Sequence, residues 1–269
     1  MPEPAAAQLV FIGDVVGQAG RQALLRALPK LRERYSPTFV VVNGENAAGG
    51  LGITPKLAEQ LFAAGVDAIT LGNHAYHRRE IITYLDSQPR LLRPANFLSS
   101  HPGRGWCLLE GQGGATLGVV NLVGNLFMEA AYPAFEQAER ALAALAAADH
   151  VLIDFHAEAT SEKVALGWYL DGRVTAVVGT HTHVQTADAR ILPGGTAYIT
   201  DVGMTGSRAG VIGFDRRAAI ARLATQLPTP LEPASEDPWV MGVAVGAAGR
   251  RRAAWIEPFA FPADGRPAA

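Results

Sequence analysis

The segment VVGTHTHVQT (Val177–Thr186) places His181 and His183 one residue apart. An apolar run at Val174–Val178 precedes the pair and predicts the end of a buried strand. Because side chains alternate faces along a strand, this spacing predicts two imidazoles on one face, about 6.5 Å apart at about 3.3 Å rise per residue. Such a pair is half of a metal site, and the alternative is two polar histidines in a loop.

Polar residues also follow four other strand-like runs of the sequence. They are Asp14, Glu45, Asn46, Asn73, His74 and His156. In α/β sheets, ligands bind outside the carboxyl ends of the strands, so we expect these side chains to meet at one rim. Each residue also has a plain alternative: a helix cap for Asp14, turn positions for the residues near 45 and 73, and a core histidine for His156.

Strand-like apolar runs alternate with helical patterns along most of the chain. Near-continuous runs of Val, Ile and Leu joined by helical crossovers predict an α/β fold whose strands are buried on both faces. Thr54 and Pro55 predict a helix start, as N-cap and first helical residue. The tail after the proline-rich connection Pro228–Pro238 predicts two strands joined by a Gly-Arg turn. We predict a single domain over residues 1–262, with residues 263–269 as a frayed tail.

Composition narrows the classes of function. Of 269 residues, 49% are apolar and 18% charged, which excludes general disorder, and the net charge of −2 argues against binding of long nucleic acid. The single cysteine, Cys107, excludes an internal disulfide and a multi-cysteine metal site. With no basic leader and no apolar run of about 18 residues, the sequence predicts a cytoplasmic protein without a membrane partner.

Four motifs occur in the order in which calcineurin-like metallophosphoesterases carry them: GDVVG, GNH, DFHAEATSEK and GTHTH. Longer strings, namely NGENAAGG, RPANF, GTHTHVQTAD and TDVGMTG, resemble the YmdB-like branch of that superfamily. The resemblance implies a four-layer αββα fold, in which a two-sheet β-sandwich is flanked by helices. It also implies phosphodiesterase activity on small phosphodiesters, including 2′,3′-cyclic nucleotides.

The resemblance further implies a dinuclear metal site with Glu45 as the bridging ligand. One metal would take Asp14, Glu45, Asn46 and His183, and the other would take Glu45, Asn73, His156 and His181. The sequence departs from the wider superfamily at Val16, where a ligand histidine is usual, and at Glu45, where aspartate is usual. Asn46 is expected to replace the missing histidine; without it, only a mononuclear site would remain.

The implied reaction is attack of a metal-bridging hydroxide on phosphorus. His74 would protonate the leaving oxygen or contact the phosphate, the alternative being a histidine that only supports a ligand. Lys163 and Arg93 could touch substrate, although such side chains are usually solvated. Ligands made only of nitrogen and oxygen suit iron, manganese or zinc, and the resemblance favours two divalent iron ions.

Alternative functions remain open on the sequence. A phosphomonoesterase could use the same site, and a nucleotide-sensing regulator could keep the fold with weak catalysis. A barrel amidohydrolase also uses an H-x-H pair, but near the first strand rather than two-thirds along the chain. A homo-oligomer is a further possibility.

Overall fold

The structure is a computed structural model that describes residues 8–263. This part of the chain forms fourteen strands and six α-helices. In chain order they are β1 (Leu9–Ile12), β2 (Asp14–Val15), α1 (Gly17–Tyr35), β3 (Phe39–Asn43), α2 (Pro55–Ala63), β4 (Ala68–Thr70), α3 (Ile81–Ser87), β5 (Leu91–Leu92), β6 (Trp106–Glu110), β7 (Thr116–Val123), α4 (Ala134–Ala144), β8 (His150–His156), α5 (Thr160–Tyr169), β9 (Ala176–Thr180), β10 (Arg190–Ile191), β11 (Ala197–Ile199), β12 (Met204–Ser207), α6 (Arg216–Thr225), β13 (Pro238–Gly249) and β14 (Arg252–Pro262).

The strands form two mixed sheets. The first has the order β2-β12-β13-β1-β3-β4-β5, with β14 also paired to β13. Within it, β1, β3, β4 and β5 are parallel, and β13 runs antiparallel to β1. The second has the order β10-β11-β9-β8-β7-β6, in which β7, β8, β9 and β11 are parallel. Parallel neighbours bring the carboxyl ends of several strands to one edge of each sheet.

Apolar side chains pack the two sheets face to face. Phe11 and Val41 of the first sheet belong to the same buried cluster as Leu152 and Val178 of the second. Helices α1, α2 and α3 cover the outer face of the first sheet, and α4 and α5 cover the outer face of the second. This four-layer αββα arrangement confirms the predicted fold, because strands with two apolar faces need a layer on each side.

Local signals in the sequence identified most of these elements. Thr54 caps α2, its hydroxyl accepting a hydrogen bond from the Leu57 amide at 3.3 Å, and Pro55 is the first helical residue. The C-terminal pair β13 and β14 is the predicted hairpin. Strands β6 and β12 and helix α6 were not predicted; α6 buries only Ala219 and so lacks an apolar stripe.

The domain prediction remains a prediction. Ala263 lies in a turn, and residues 264–269 of the expected tail lie outside the described residues. Among residues 8–263, no helix is long and apolar enough to cross a membrane.

Candidate metal centre

The carboxyl ends of β1, β3, β4, β8 and β9, with the residues that follow them, meet at one rim of the sandwich. They bring together all the residues predicted for the site, namely Asp14, Glu45, Asn46, Asn73, His74, His156, His181 and His183. Asp14 and His156 are fully buried, and Glu45 is 1% exposed. Residues from five separate segments of the chain are therefore within contact distance of one another.

Glu45, His156 and His181 form the innermost group. Glu45 Oε1 lies 3.2 Å from His156 Nε2, which in turn lies 3.0 Å from His181 Nδ1. One ligand atom from each of the three falls within 4.8 Å of the other two, close enough to hold a single ion. Asn73 Oδ1 joins this group, 2.9 Å from His156 Nε2.

Asp14, Asn46 and His183 border the other side of Glu45. Asn46 Nδ2 lies 3.0 Å from Glu45 Oε1 and 3.3 Å from His183 Nε2. Asp14 Oδ1 lies 3.8 Å from both His183 Nε2 and His156 Nδ1. Buried Asp14 Oδ1 accepts no hydrogen bond from any described residue, which is the state of a ligand atom rather than of a structural carboxylate.

Two imidazoles have their ring protons fixed by groups behind them. His183 Nδ1 lies 2.8 Å from the Ile212 carbonyl, which can only accept, so this nitrogen carries the proton. His156 Nδ1 lies 2.9 Å from Thr180 Oγ1, whose own hydroxyl donates to Asp154 at 2.7 Å. Nε2 is therefore the nitrogen of each ring that faces the centre, where it can bind a cation once it is unprotonated.

A carboxylate orients the ring of His181, but here Nε2 points outwards and Nδ1 points to the centre. Its Nε2 lies 3.0 Å from Glu158 Oε2 outside the centre, so Nδ1 presents the lone pair inwards. Carboxylate-bound histidines of this kind are common among metal ligands, because the partner fixes the tautomer and ring orientation. Glu158 is the last residue of the DFHAE segment, but its contact with His181 was not predicted.

The geometry assumed for the H-x-H pair is wrong. Strand β9 ends at Thr180, and both histidines have left-handed backbones, with φ of 100° at His181 and 66° at His183. The two rings therefore do not stand side by side on a strand face. The turn sends His181 towards His156 and His183 towards Asn46, so that the pair serves both sides of Glu45.

A buried ion pair holds Thr182, the residue between the two histidines. Asp201 accepts hydrogen bonds from the Thr182 amide at 3.1 Å and hydroxyl at 2.8 Å, and from Lys163 Nζ at 2.8 Å. The interpretation of Lys163 and Arg93 as solvated side chains is wrong, since both residues are buried. No spacing rule links Lys163 to Asp201, because α5 and the segment after β11 meet only in three dimensions.

Opposed effects set the charges of the centre. Burial disfavours the ionised form of Glu45, but His156 and His74 hold the pKa of this carboxyl well below its usual value. Burial likewise opposes protonation of His156, yet Glu45 and Asp14 raise its pKa to about 9. Burial and the neighbouring His156 lower the pKa of His181 to about 3. The histidines therefore offset the burial of the ionised Glu45 carboxyl, whereas burial still raises the pKa of Asp14, whose ionised form needs further positive charge.

Gly72 allows this close packing. A Cβ added there would lie 2.4 Å from Glu45 Oε2 and 2.4 Å from His156 Cδ2. Both distances are far shorter than van der Waals contact, so any side chain at this position would displace two candidate ligands. The glycine of the GNH motif is therefore required by the approach of the turn to the centre.

His74 lies at the outer edge, 25% exposed. Its Nδ1 is 2.7 Å from Asn46 Oδ1 and 3.2 Å from Glu45 Oε1, and its amide donates to Glu45 Oε2 at 3.2 Å. With Nδ1 occupied by these acceptors, Nε2 is the nitrogen left for a substrate.

Known proteins share this sequence and architecture. A 2′,3′-cyclic-nucleotide 2′-phosphodiesterase of Bacillus subtilis is 49% identical over 239 residues, or 88% of this chain and 90% of that protein. A crystal structure of a hypothetical protein from Thermus thermophilus has a TM-score of 0.89 at 41% identity, covering 94% of this chain and 98% of that one. A crystal structure described as a novel phosphatase from Mycoplasma pneumoniae has a TM-score of 0.88 at 32% identity, covering 96% and 94%.

The family model for YmdB-like proteins matches residues 10–259 of this chain. The match includes every residue predicted for the site and nearly the whole of the described structure. It confirms the resemblance inferred from the motifs: the chain belongs to the YmdB-like protein family.

Proposed function

We propose that this protein is a dinuclear-metal phosphodiesterase acting on small phosphodiesters, with 2′,3′-cyclic nucleotides as substrates. The observation that carries the proposal is the set of three imidazoles, each with one ring nitrogen turned towards two buried carboxylates at one rim. One metal would be held by Asp14, Glu45, Asn46 and His183, and the other by Glu45, Asn73, His156 and His181. Its hydrolase class follows from the family; the dinuclear site and its ligands are the proposed part.

The residues fit divalent metals on three counts. Asp14 Oδ1 accepts no hydrogen bond and is available to bind a cation. The outward nitrogens of His156, His181 and His183 each lie next to an acceptor, which leaves the inward nitrogens for a metal. Burial raises the pKa of Asp14, so its ionised carboxylate needs more positive charge than the neighbouring histidines provide. Ligands of nitrogen and oxygen without thiolate suit iron, manganese or zinc, and we propose iron.

Two bound divalent ions would supply Lewis acidity and would lower the pKa of water for attack on phosphorus. The chain's own residues hold and orient that chemistry. Glu45 lies between the two ligand groups and can bridge them, and neutral Asn46 and Asn73 add ligands without adding negative charge. A site with few carboxylates keeps residual positive charge for an anionic substrate. His74 Nε2 is placed to donate a proton to the leaving oxygen.

The relative from Bacillus subtilis supports the substrate class, since it is named a 2′,3′-cyclic-nucleotide 2′-phosphodiesterase and is 49% identical. The cytoplasmic location and the homo-oligomer stay predictions.

The test combines elemental analysis with a substrate panel. We expect about two transition-metal ions per chain, and turnover of 2′,3′-cyclic AMP and of bis(p-nitrophenyl) phosphate. Glu45→Gln should reduce metal content and abolish turnover, whereas Glu110→Gln, at an exposed position on β6, should change neither. Full activity of Glu45→Gln, or a single tightly bound ion with full activity, would overturn the dinuclear proposal.

The same panel separates the rival functions. A phosphomonoesterase would prefer p-nitrophenyl phosphate to its bis-ester. A nucleotide-sensing regulator would bind nucleotides without turnover and would lose little function in Glu45→Gln.

A further inference from the structure

A cleft of about 680 Å³ opens directly beside the candidate metal centre. It shares two residues with that centre, Asn73 and His181. A cleft of this size is typical of small-molecule sites, which are mostly apolar with a few polar groups at one end. The polar end here is the metal centre, and the rest of the cleft has no part in the chemistry described above.

One wall of the cleft is aromatic. The Tyr76 ring centroid lies 6.0 Å from that of Phe97 and 5.4 Å from that of His101, and the last two are 6.3 Å apart. The Tyr76 hydroxyl donates to the Pro102 carbonyl at 2.7 Å, which fixes the orientation of its ring. The wall is therefore a set of mutually packed rings rather than a row of mobile side chains.

Phe127 also lines the cleft, from the loop that links β7 to α4. Its side chain is 88% exposed and its backbone is left-handed, with φ of 64°. A bulky residue rarely adopts this conformation, and here no burial of the ring compensates for it. Strain without packing indicates that the ring is displayed for contact with another molecule.

The base of this loop is held firmly. Glu162 of α5 accepts hydrogen bonds from the amides of Asn125 at 2.8 Å and Leu126 at 3.0 Å. On the other side of the tip, the Asn96 carbonyl accepts from the Ala131 and Tyr132 amides, each at 3.0 Å. These bonds fix both ends of the loop segment that carries Phe127, so the exposed ring is held at the edge of the cleft.

We propose that the cleft binds the nucleobase of the substrate, with Phe127 as its stacking platform. The proposal rests on the proposed function, because a phosphodiester at the metal centre places the base one ribose away, towards the rings. Every nucleobase has an apolar π-face, so stacking gives affinity without strict base selection. Phe127 would then be a positioning and specificity residue, and a substrate lacking a base would lose its contact.

The test compares two cyclic phosphates that differ only in the base. They are 2′,3′-cyclic AMP and methyl β-D-ribofuranoside 2,3-cyclic phosphate, in which a methoxy group replaces adenine. We expect wild-type protein to favour the nucleotide in kcat/KM by about 5- to 150-fold, the range of one base–aromatic stack. Phe127→Ala should remove most of this preference by raising KM for the nucleotide, with kcat/KM for the base-free compound unchanged.

Two variants serve as controls. Phe127→Tyr keeps an aromatic face and should keep the preference. Leu223→Ala removes another largely exposed apolar side chain, on α6 and 73% exposed, and should behave as wild type with both compounds. If Phe127→Ala lowered kcat/KM equally for both compounds, or for neither, the stacking role would be overturned.

Calorimetric titration with adenosine, which has no phosphate, tests the cleft independently of catalysis. Binding to wild-type protein that weakens at least about fivefold in Phe127→Ala supports the inference, even if no cyclic nucleotide is hydrolysed. If adenosine binds in this way but no cyclic nucleotide is hydrolysed, the proposed function is wrong and the nucleobase site is supported. Turnover of 2′,3′-cyclic AMP with no wild-type preference over the base-free compound leaves the proposed function intact and overturns the nucleobase site.

Discussion

At the scale of single residues, His74 is the side chain whose proposed role can be separated from metal binding. Its Nδ1 is engaged by Asn46 Oδ1 at 2.7 Å, which leaves Nε2 for the leaving oxygen. We expect His74→Gln to lower kcat by about 10²–10⁴-fold on 2′,3′-cyclic AMP, whose alkoxide leaving group needs a proton. The loss on bis(p-nitrophenyl) phosphate should be much smaller, because p-nitrophenolate leaves without protonation.

Steady-state kinetics on the two substrates measure this difference. His77→Gln, an exposed neighbour whose ring lies 5.6 Å from that of His74, is the matched control and should retain activity. Equal losses on both substrates in His74→Gln would mean that His74 only supports its ligand neighbours.

Cys107 gives a second prediction at this scale. Burial raises the pKa of its thiol to about 12, whereas an ordinary cysteine ionises near pH 9. Because only the thiolate attacks disulfide reagents, we expect native protein to react slowly with a dithiobisbenzoate reagent at about pH 8, and denatured protein to react at once. Between about pH 9 and 12 the unfolded thiol ionises while the folded one does not, so stability should fall with rising pH.

Chemical denaturation at about pH 8 and about pH 10.5 checks that linkage. Cys107→Ala lacks the thiol and should lose less stability over this interval than the wild-type protein. Rapid labelling of the native protein at the lower pH would contradict the burial on which both expectations depend.

At the scale of elements, the Lys163–Asp201 pair connects helix α5 to the segment after β11, and Asp201 in turn holds Thr182 in the loop after β9. The Lys163 residue is 1% exposed and Asp201 is fully buried, so removing one partner leaves an uncompensated charge in the interior. We expect Lys163→Met to reduce the free energy of unfolding by about 3–5 kcal/mol. The held loop contains Thr182, so metal content should fall as well.

Urea denaturation measures the change in stability. Lys56→Met, at an exposed position on α2, should change it by less than about 0.5 kcal/mol. Adding Asp201→Asn to Lys163→Met should recover part of the loss, since it removes the unpaired charge. A loss below about 1 kcal/mol in Lys163→Met would show that the pair does not anchor the loop.

At the scale of the whole molecule, Asp154 ties the two sheets together beneath the centre. From the first sheet it accepts hydrogen bonds from Thr70 Oγ1 at 2.5 Å and Asn43 Nδ2 at 3.1 Å, and from the second it accepts from Thr180 Oγ1 at 2.7 Å. We expect Asp154→Ala to lower the free energy of unfolding by at least about 3 kcal/mol, because three buried donors lose their acceptor.

Thermal and urea denaturation measure this loss. Asp154→Asn keeps one carbonyl acceptor and should lose less than Asp154→Ala. Asp149→Ala is the control: its carboxylate bonds Thr116 at the amino-terminal edge of the second sheet, away from the contact between the sheets, and the loss should be smaller. Equal losses of unfolding free energy in the two alanine variants would mean that the hydrogen bonds of Asp154 between the sheets stabilise the fold no more than those of Asp149.

The layered architecture, and the meeting of the predicted site residues at one rim, follow from patterns that the sequence alone contains. Val- and Ile-rich runs can be satisfied only with apolar layers on both faces, and parallel strands send their carboxyl ends to a common edge. Their position at those ends predicted that the site residues meet at one rim. They are Asp14, Glu45, Asn46, Asn73, His156, His181 and His183.

The contacts that hold those side chains in place could be identified only from the packed structure. The left-handed turn at His181 and His183, the Lys163–Asp201 pair and the cleft facing Phe127 each join segments distant in sequence. Periodicity records which face of an element is apolar, but it carries no information on which polar groups from different elements will meet. That information arises when the sheets and helices pack, because the ring protons, buried charges and exposed aromatic ring gain their partners only there.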